Sequence, residues 1–167
     1  MAAPAFRFDS LADFPSIVDP SDVLISLDMV QGYYHVSLHP DSRTFAGFRW
    51  RNTYYVYNVL PLGMSTTPRC FAKVMGVLVR HRRSTCIRML LAYFDDWLFI
   101  LRPADVARVT ARILADCRAA RVAINRAKSQ LDPVRELTHL GFEIDMPGNR
   151  FCVPEARWSI LQECVEA

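Results

Sequence analysis

Two continuous apolar runs in the middle of the chain surround a short acidic segment. The runs Met89–Ala92 and Trp97–Leu101 are rich in branched and aromatic residues, which is typical of buried strands. Between them lies Tyr93–Asp96. The pattern therefore predicts a β-hairpin whose tight turn carries Asp95 and Asp96.

A third carboxylate stands in a similar setting. In Asp22–Met29 apolar residues alternate, which predicts a strand that ends near Asp28 with this side chain on the opposite face. Two adjacent carboxylates repel by about 1 kcal/mol in water and several times that at a partly buried site. A bound metal ion would relieve this repulsion, although an Asp-Asp pair is also common in simple solvated turns.

The remaining periodicity predicts two more β-hairpins and three helices. Tyr- and Phe-rich alternation indicates strands, and a proline suits the first turn of a helix. The predicted elements are the hairpins Thr44–Leu60 and Thr138–Val153, the helices Pro68–Arg83 and Ala104–Arg121, and a last helix that begins at Pro154. The order strand, helix, strand, strand, helix, strand is that of a ferredoxin-like split βαβ sheet, in which the Asp28 strand neighbours the Asp95–Asp96 hairpin.

The first long helix carries two different faces. Its predicted apolar stripe consists of Phe71, Val74, Val77 and Leu78. Basic side chains recur at helical spacing on another face, and they are Arg69, Lys73, Arg80 and Arg83. This face is either a solvated charged surface or a track for a phosphate backbone, and its proximity to the acidic residues favours the track.

Composition limits the class of protein. The chain has 167 residues, of which 51% are hydrophobic and 22% charged, which is enough for one globular domain. No apolar run approaches the length of a membrane span, and the N-terminus lacks the features of a secretion signal, so we expect an intracellular protein without a membrane. The five cysteines show no metal-ligand or disulfide spacing and are expected to be reduced, buried thiols. A net charge of +3 means that any nucleic-acid binding must come from local patches.

The three carboxylates define the candidate chemistry. If they converge at one sheet edge, they suit two divalent cations roughly 4 Å apart. Such a pair of ions lowers the pKa of an attacking hydroxyl and neutralises a leaving pyrophosphate. The reaction that fits this arrangement is in-line phosphoryl transfer to a nucleotide.

Five segments together carry a family resemblance. In this order and spacing they resemble motifs A to E of reverse transcriptases, most closely those of LTR-type and tyrosine-recombinase (DIRS-like) retrotransposons, over roughly residues 20–160. The segments are Leu27–Tyr33, Tyr57–Phe71, Tyr93–Asp96, Asn125–Ser129 and Leu140–Phe142.

The resemblance implies roles for the acidic residues and for one aromatic residue. Asp28 and Asp95 would hold two Mg²⁺ or Mn²⁺ ions, with Asp96 as a weaker or structural partner. Tyr33 would lie under the sugar and exclude a 2′-hydroxyl, which selects deoxynucleotides. Without the resemblance, Tyr33 reads as an ordinary core aromatic residue.

The resemblance also implies roles for basic and loop residues. Lys128 would protonate the pyrophosphate, which is chemically sensible because arginine does not release its proton at useful pH; an exposed, solvated lysine is the alternative. Gly63 and Pro68 would let the backbone approach the incoming nucleotide and the template, and Arg69 and Lys73 would contribute to substrate binding.

Some features differ from the family pattern. Leu62 replaces the glutamine of retroviral enzymes and Phe94 replaces an aliphatic residue, so fine nucleotide selection does not transfer. Segment Leu140–Phe142 resembles the start of the primer-gripping hairpin. The predicted organisation is an irregular lead-in at 1–20, a palm at 21–153 with part of the fingers at about 36–60, and the truncated start of a thumb helix at 154–167. The missing fingers, thumb and RNase H regions would belong to the same polyprotein.

The sequence thus predicts an α+β, ferredoxin-like split βαβ polymerase palm with a partial fingers β-hairpin. Its expected function is RNA-directed DNA polymerisation, with primed RNA or DNA template and deoxynucleoside triphosphates as partners. A noncatalytic descendant that binds nucleic acid or protein is one alternative, which the intact acidic residues argue against. A nucleotidyl cyclase is another, but Leu60–Gly63 and Leu140–Phe142 have no role in such an enzyme.

Overall fold

A computed structural model of the chain describes residues 18–83 and 88–166. The strands in chain order are β1 (Val23–Asp28), β2 (Gly47–Trp50), β3 (Thr53–Val56), β4 (Met89–Tyr93), β5 (Asp96–Leu101), β6 (Glu136–His139), β7 (Phe142–Asp145) and β8 (Arg150–Cys152). The helices are α1 (Pro40–Arg43), α2 (Thr67–Arg83), α3 (Val106–Ala119) and α4 (Glu155–Glu166). Most of the predicted lead-in, 1–17, lies outside the described residues.

The central sheet has the predicted order. Strands β1, β5 and β4 form an antiparallel sheet in that sequence. A ferredoxin-like sheet has a fourth strand, which would lie on the free side of β1. Here two isolated β-bridges take its place, one between Leu24 and Val134 and one between Met29 and Ile124. The split βαβ order is therefore confirmed, with its last strand reduced to bridging residues.

Both faces of the central sheet are covered, which explains the continuous apolar runs. On one face Ile25, Leu27 and Phe99 pack in a core that includes buried residues of α2 and α3. On the other face Leu98 and its neighbours pack against Ile144 of the β6–β7–β8 sheet. Polar residues are unfavourable in a strand that is buried on both faces, except at its ends. The carboxylates lie at such strand ends.

The buried face of α2 differs from the predicted stripe. Phe71 is buried, as are Met75 and Val79, whereas Val74 and Val77 are exposed. Because apolar residues occur almost all round this helix, periodicity alone does not identify the side that meets the sheet. In α3 the predicted core positions are confirmed, with its buried residues being Val109, Ile113 and Cys117.

A buried ion pair joins the two long helices. The guanidinium of Arg82, almost fully buried, contacts the carboxylate of Asp116 on α3. Burying an unpaired charge would cost several kcal/mol, so the pairing is required for Arg82 to stand in this position. The contact fixes the C-terminal end of α2 against α3.

The predicted hairpin Thr138–Val153 is instead a meander of three strands, β6, β7 and β8, because the chain makes one reversal more than predicted. The chain reverses at Leu140 and Gly141, whose φ angles are 50° and 81°. Two positive φ angles make a tight hairpin turn, but leucine is unfavourable there and gives no turn signal in the sequence. The hairpin from β7 to β8 is confirmed, as is the helix after Pro154.

Four of the five cysteines lie in the described residues, which exclude Cys86, and one of these four is buried as predicted. Cys117 is buried, and burial raises the pKa of its thiol to about 11. Cys70, Cys152 and Cys164 are exposed, which contradicts the expectation of buried thiols, although all four are free thiols. Among the described helices, none has the length and apolar character needed to cross a bilayer.

His139 on β6 provides a test of this packing. Its ring is buried, and burial lowers its pKa to about 4 from 6.5. Since the folded state disfavours the protonated ring, its contribution to stability is complete above pH 6.5 and is lost as the pH falls towards 4. We expect His139→Leu to remove up to about 3 kcal/mol of acid destabilisation. Urea unfolding of both proteins across this pH range measures the difference. An identical pH slope in His139→Leu and in the wild type would contradict the assignment.

Candidate active site

The three carboxylates meet where β1, β4 and β5 come together. Asp28, the last residue of β1, lies directly opposite Asp96, the first residue of β5. Asp95 lies in the two-residue turn that connects β4 to β5, beside Phe94 with a φ of 50°. The predicted acidic hairpin is confirmed, except that Asp96 begins the strand instead of lying within the turn.

Backbone hydrogen bonds hold this turn in place. The amide of Met29 donates to the carbonyl oxygen of Asp95 over 3.0 Å, which ties the turn to the end of β1. The indole Nε1 of buried Trp97 donates to the carbonyl oxygen of Phe94, also over 3.0 Å. The positions of the carboxylates are therefore set by buried structure on two strands.

The electrostatics of the cluster suit a cation. The pKa of Asp96 is raised, first by burial and then by the negative charges of Asp95 and Asp28, with a hydrogen bond to Asp28 acting in the same direction. Lys128 acts in the opposite direction. Among the described residues, no three His, Cys, Asp or Glu side chains are gathered as a ready-made metal-binding group. The donor set is nonetheless one of oxygen ligands whose mutual repulsion a divalent cation would relieve.

The loop that carries Lys128 is fastened to Asp28. The amide of Asn125 donates to the carbonyl oxygen of Asp28 over 2.9 Å. The hydroxyl of Ser129 accepts from the amide of Asp28 over 3.0 Å and donates to the carbonyl oxygen of Asn125 over 2.8 Å. Ser129 thus has a positioning role that sequence reasoning missed, since a serine in a polar loop gives no signal for a contact a hundred residues away.

Tyr33 lies in a 3₁₀ turn, Gly32–His35, directly beside the acidic hairpin. Its ring packs edge-to-face against Phe71, with centroids 5.1 Å apart, and against Phe94 at 5.9 Å. Partial burial raises the pKa of its hydroxyl, with smaller effects from Asp95 and Tyr93. The ring therefore belongs partly to the core and partly to the site.

Gly32 allows this turn to approach the hairpin. A β-carbon at Gly32 would lie 3.0 Å from Cβ of Asp95 and 3.1 Å from the ring of Phe71. Few real β-carbons make contacts this tight, so a larger residue would force Asp95, Phe71 or the turn to shift by a few tenths of an ångström. Gly32 carries no sequence signal for this role, because Asp95 is distant in the chain.

His35 holds the other end of the same turn. Its Nε2 accepts a hydrogen bond from the amide of Ala123 over 2.9 Å. Nδ1 must then carry the proton, which it donates to the carbonyl oxygen of Gly32 over 3.1 Å. His35 therefore links the turn that bears Tyr33 to the segment that leads into the Lys128 loop.

A cavity opens between this turn and the acidic hairpin. Its volume is about 310 Å³, which falls at the lower end of the range for small-molecule sites. Its lining combines aromatic and aliphatic groups with one carboxylate. The lining residues are Gln31, Gly32, Tyr33, Tyr34, Leu62, Phe71 and Asp95.

The loop before α2 borders this cavity through Leu62. Gly63 has a φ of 89°, a conformation that glycine adopts without strain. The hydroxyl of Thr67 donates to the carbonyl oxygen of Pro61 over 2.8 Å, and Pro68 lies in the first turn of α2 as predicted.

The predicted basic residues lie apart from this cluster. Arg69 and Lys73 are exposed on α2, and no hydrogen bond or ion pair recorded for the described residues joins them to the carboxylates. The structure thus places Asp28 opposite Asp96 with Asp95 in the adjoining turn and Lys128 close enough to affect Asp96, and it leaves Arg69 and Lys73 on the outer face.

Comparison with known proteins identifies the family. The model for "Reverse transcriptase (RNA-dependent DNA polymerase)" matches residues 1–144. The chain is 27% identical over 142 residues to the enzymatic polyprotein of cauliflower mosaic virus (strain Strasbourg), covering 84% of this chain and 20% of the polyprotein. It is 26% identical over 172 residues to Protein P of duck hepatitis B virus (strain United States/DHBV-16), covering 99% of this chain and 20% of that protein. The chain thus spans about a fifth of the length of these relatives.

Solved structures share the fold. A foamy viral protease-reverse transcriptase in complex with double-stranded DNA superposes with a TM-score of 0.80 at 20% identity, covering 96% of this chain and 27% of that one. The foamy viral enzyme in complex with an RNA/DNA hybrid gives 0.76 at 21% identity, covering 96% and 21%.

The chain belongs to the reverse transcriptase family, which is a family of RNA-directed DNA polymerases. The family predicted from the five motifs is confirmed, and so is the polymerase palm fold. Family membership also removes the nucleotidyl cyclase alternative. The type of retrotransposon stays a prediction.

Proposed function

We propose that this domain is the catalytic palm of an RNA-directed DNA polymerase that transfers deoxynucleotides to a primer 3′-hydroxyl. The observation that carries the proposal is the meeting of Asp28 and Asp96 across two strands, with Asp95 in the adjoining turn. Burial and then the negative charges of Asp95 and Asp28 raise the pKa of Asp96, and the opposing effect of Lys128 does not outweigh them. A noncatalytic descendant would have no reason to keep this costly arrangement.

Asp28 and Asp95 would hold two divalent ions, Mg²⁺ or Mn²⁺, with Asp96 as the weaker or structural partner. The ions would supply activation of the primer hydroxyl and neutralisation of the pyrophosphate. The protein's own contribution is to fix the carboxylates on two paired strands and on a turn locked by Met29 and Trp97. Such rigid placement is what metal-assisted phosphoryl transfer requires of a protein.

Lys128 would donate a proton to the leaving pyrophosphate. The positive charge of Lys128 acts to lower the pKa of Asp96. The loop that carries Lys128 is hydrogen-bonded to the backbone of Asp28 through Asn125 and Ser129. A lysine can give up its proton where an arginine cannot. These contacts hold the backbone of the Lys128 loop beside Asp28.

The cavity beside Asp95 would receive the incoming deoxynucleoside triphosphate. Tyr33 would lie under its sugar, while Gly63 and Pro68 would let the backbone near Leu62 approach the nucleotide and the template. Arg69 and Lys73 would contact the phosphates of a primed RNA or DNA template from the outer face of α2. Residues 36–60 would form part of the fingers and 154–167 the start of a thumb helix.

The polymerase function is tested by adding one deoxynucleotide to a primer annealed to an RNA template. Incorporation should depend on Mg²⁺ or Mn²⁺ and on the templating base. A domain that binds primed template but never extends it would instead support the noncatalytic scaffold.

Substitution of Tyr33 tests the nucleotide pocket. In Tyr33→Val the ring that would exclude a 2′-hydroxyl is lost while the carboxylates stay in place, so ribonucleotide incorporation should rise relative to deoxynucleotide incorporation by about tenfold or more. Parallel extension assays with each nucleotide class measure the ratio, with Tyr57→Val as an aromatic control away from the cavity. If the ratio is unchanged while stability falls by roughly 2–4 kcal/mol, Tyr33 is a packing residue only.

A further inference from the structure

The charge of the chain is unevenly distributed. Residues 42–94 contain nine Lys and Arg residues and no Asp or Glu, although the whole chain has 17 acidic residues and a net charge of only +3. This segment runs from the end of α1 through β2, β3 and α2 to the acidic turn. Arg82 and Arg88 pair with Asp116 and Asp22. A surface that carries the other seven basic residues attracts polyanions more strongly than the overall charge suggests.

The most exposed part of this segment is a two-stranded ribbon, β2 and β3, which we call the aromatic ribbon (Gly47–Val56). All residues of both strands are exposed, and the two strands pair only with each other. Trp50 is 63% exposed and Tyr54 78% exposed. Large aromatic rings are seldom left in water in such numbers unless they serve a binding surface.

The two faces of the aromatic ribbon combine rings with arginine. On one face Phe48 lies opposite Tyr55 with the rings stacked, 5.4 Å apart and 20° from parallel, and Trp50 follows two residues further. On the other face the guanidinium of Arg49 lies 5.7 Å from the ring centroid of Tyr54.

We propose that the aromatic ribbon binds single-stranded nucleic acid by base stacking, independently of the polymerase site. Flat rings accept unpaired bases on their faces with little regard to sequence, and neighbouring arginines contact the phosphates. A duplex offers no free base faces, so the ribbon should discriminate strongly against it. A protein partner fits less well, because aliphatic side chains are sparse on the ribbon and acidic ones absent.

The chain connects the aromatic ribbon to the loop that borders the cavity. Beyond β3 the chain is held by a hydrogen bond from the amide of Leu60 to the carbonyl oxygen of Val36, and it then enters the loop that carries Leu62. The ribbon thus continues along the chain into the loop that borders the cavity.

Binding of a labelled oligonucleotide tests the proposal. Fluorescence anisotropy would compare a single strand of about 12 nucleotides with a duplex of the same sequence, in EDTA and without nucleotides. The double variant Trp50→Ala with Tyr54→Ala should weaken single-strand binding by about tenfold or more, and its duplex binding should stay within about twofold. Trp50→Tyr, which keeps a flat ring, should retain most of the affinity.

Trp158→Ala is the matched control, since this tryptophan on α4 is 55% exposed and lies outside the ribbon. Equal single-strand affinity in the wild type and the double variant would overturn the proposal, as would a wild-type preference for duplex. Light scattering supplies a further check: if the double variant only abolishes self-association, the ribbon is a protein contact. Because metal and nucleotides are absent, failure here leaves the polymerase proposal intact, and a failed extension assay leaves this one intact.

Discussion

Replacing Asp95 by asparagine is expected to abolish nucleotide incorporation while leaving the fold intact. If Asp95 holds divalent ions, the variant loses several kcal/mol of transition-state stabilisation, which corresponds to a rate at least about 10³-fold lower. The same change removes one of the charges that raise the pKa of Asp96, so the melting temperature should be unchanged or higher. Single-turnover incorporation and thermal unfolding, measured on the same preparation, give the two results.

Asp132→Asn is the control for this experiment, because Asp132 is exposed and lies away from the hairpin. It should leave both rate and melting temperature unchanged. Extension at the wild-type rate by Asp95→Asn would rule out a role for Asp95 in metal binding. A large fall in melting temperature would show instead that Asp95 is mainly structural.

Replacing Lys128 by arginine should have the second largest effect. The charge near Asp96 is kept, so primer-template and nucleotide binding should change little, but arginine does not release its proton. Loss of general acid catalysis would lower the single-turnover rate by about 10² to 10⁴. The test is a separation of rate from apparent nucleotide affinity, with only the rate expected to fall.

Arg126, an exposed residue of the same loop, provides the control for this experiment. Arg126→Lys makes the opposite exchange in the same loop, two residues away, and should not alter the rate. If Lys128→Arg extends primers as fast as the wild type, Lys128 acts through its charge alone or is a solvated lysine. A rise in the apparent KM with an unchanged rate would assign it to nucleotide binding.

The acidic hairpin could be predicted because its signal is local. Two apolar runs interrupted by Asp95 and Asp96 leave few alternatives to a hairpin, and the strand that ends in Asp28 is defined by its own alternation. The ferredoxin-like order then makes those strands neighbours. Pairing of Asp28 with Asp96 follows from topology without any knowledge of side-chain contacts.

Features that depend on distant contacts were not predictable. Val74 and Met75 are similarly apolar, and only packing against the sheet decides that Met75 is buried and Val74 exposed. The reversal at Leu140 requires a positive φ, and a leucine in the sequence gives no indication of one. The exposure of Cys70 likewise depends on which side of α2 meets the sheet.

The support around the site was the hardest part to foresee. Ser129 and His35 bond to backbone atoms about a hundred residues away, and neither residue type signals such a bond. In the sequence, Gly32 is interpreted as an ordinary turn glycine. In the structure, its missing side chain allows the close approach of Asp95. The candidate catalytic residues thus have a local sequence signal. The residues that position them can be recognised only from contacts in the folded chain.

The central claim is that this acidic edge performs RNA-templated addition of deoxynucleotides. The most direct measurement is incorporation of one complementary deoxynucleotide onto a primer annealed to RNA, at low salt and with saturating primer-template, because phosphate contacts weaken steeply as salt rises. We expect incorporation that requires Mg²⁺ or Mn²⁺, follows the templating base and disappears in Asp28→Asn. No incorporation under these conditions by a folded chain that binds the primer-template, or equal incorporation by Asp28→Asn, would contradict it.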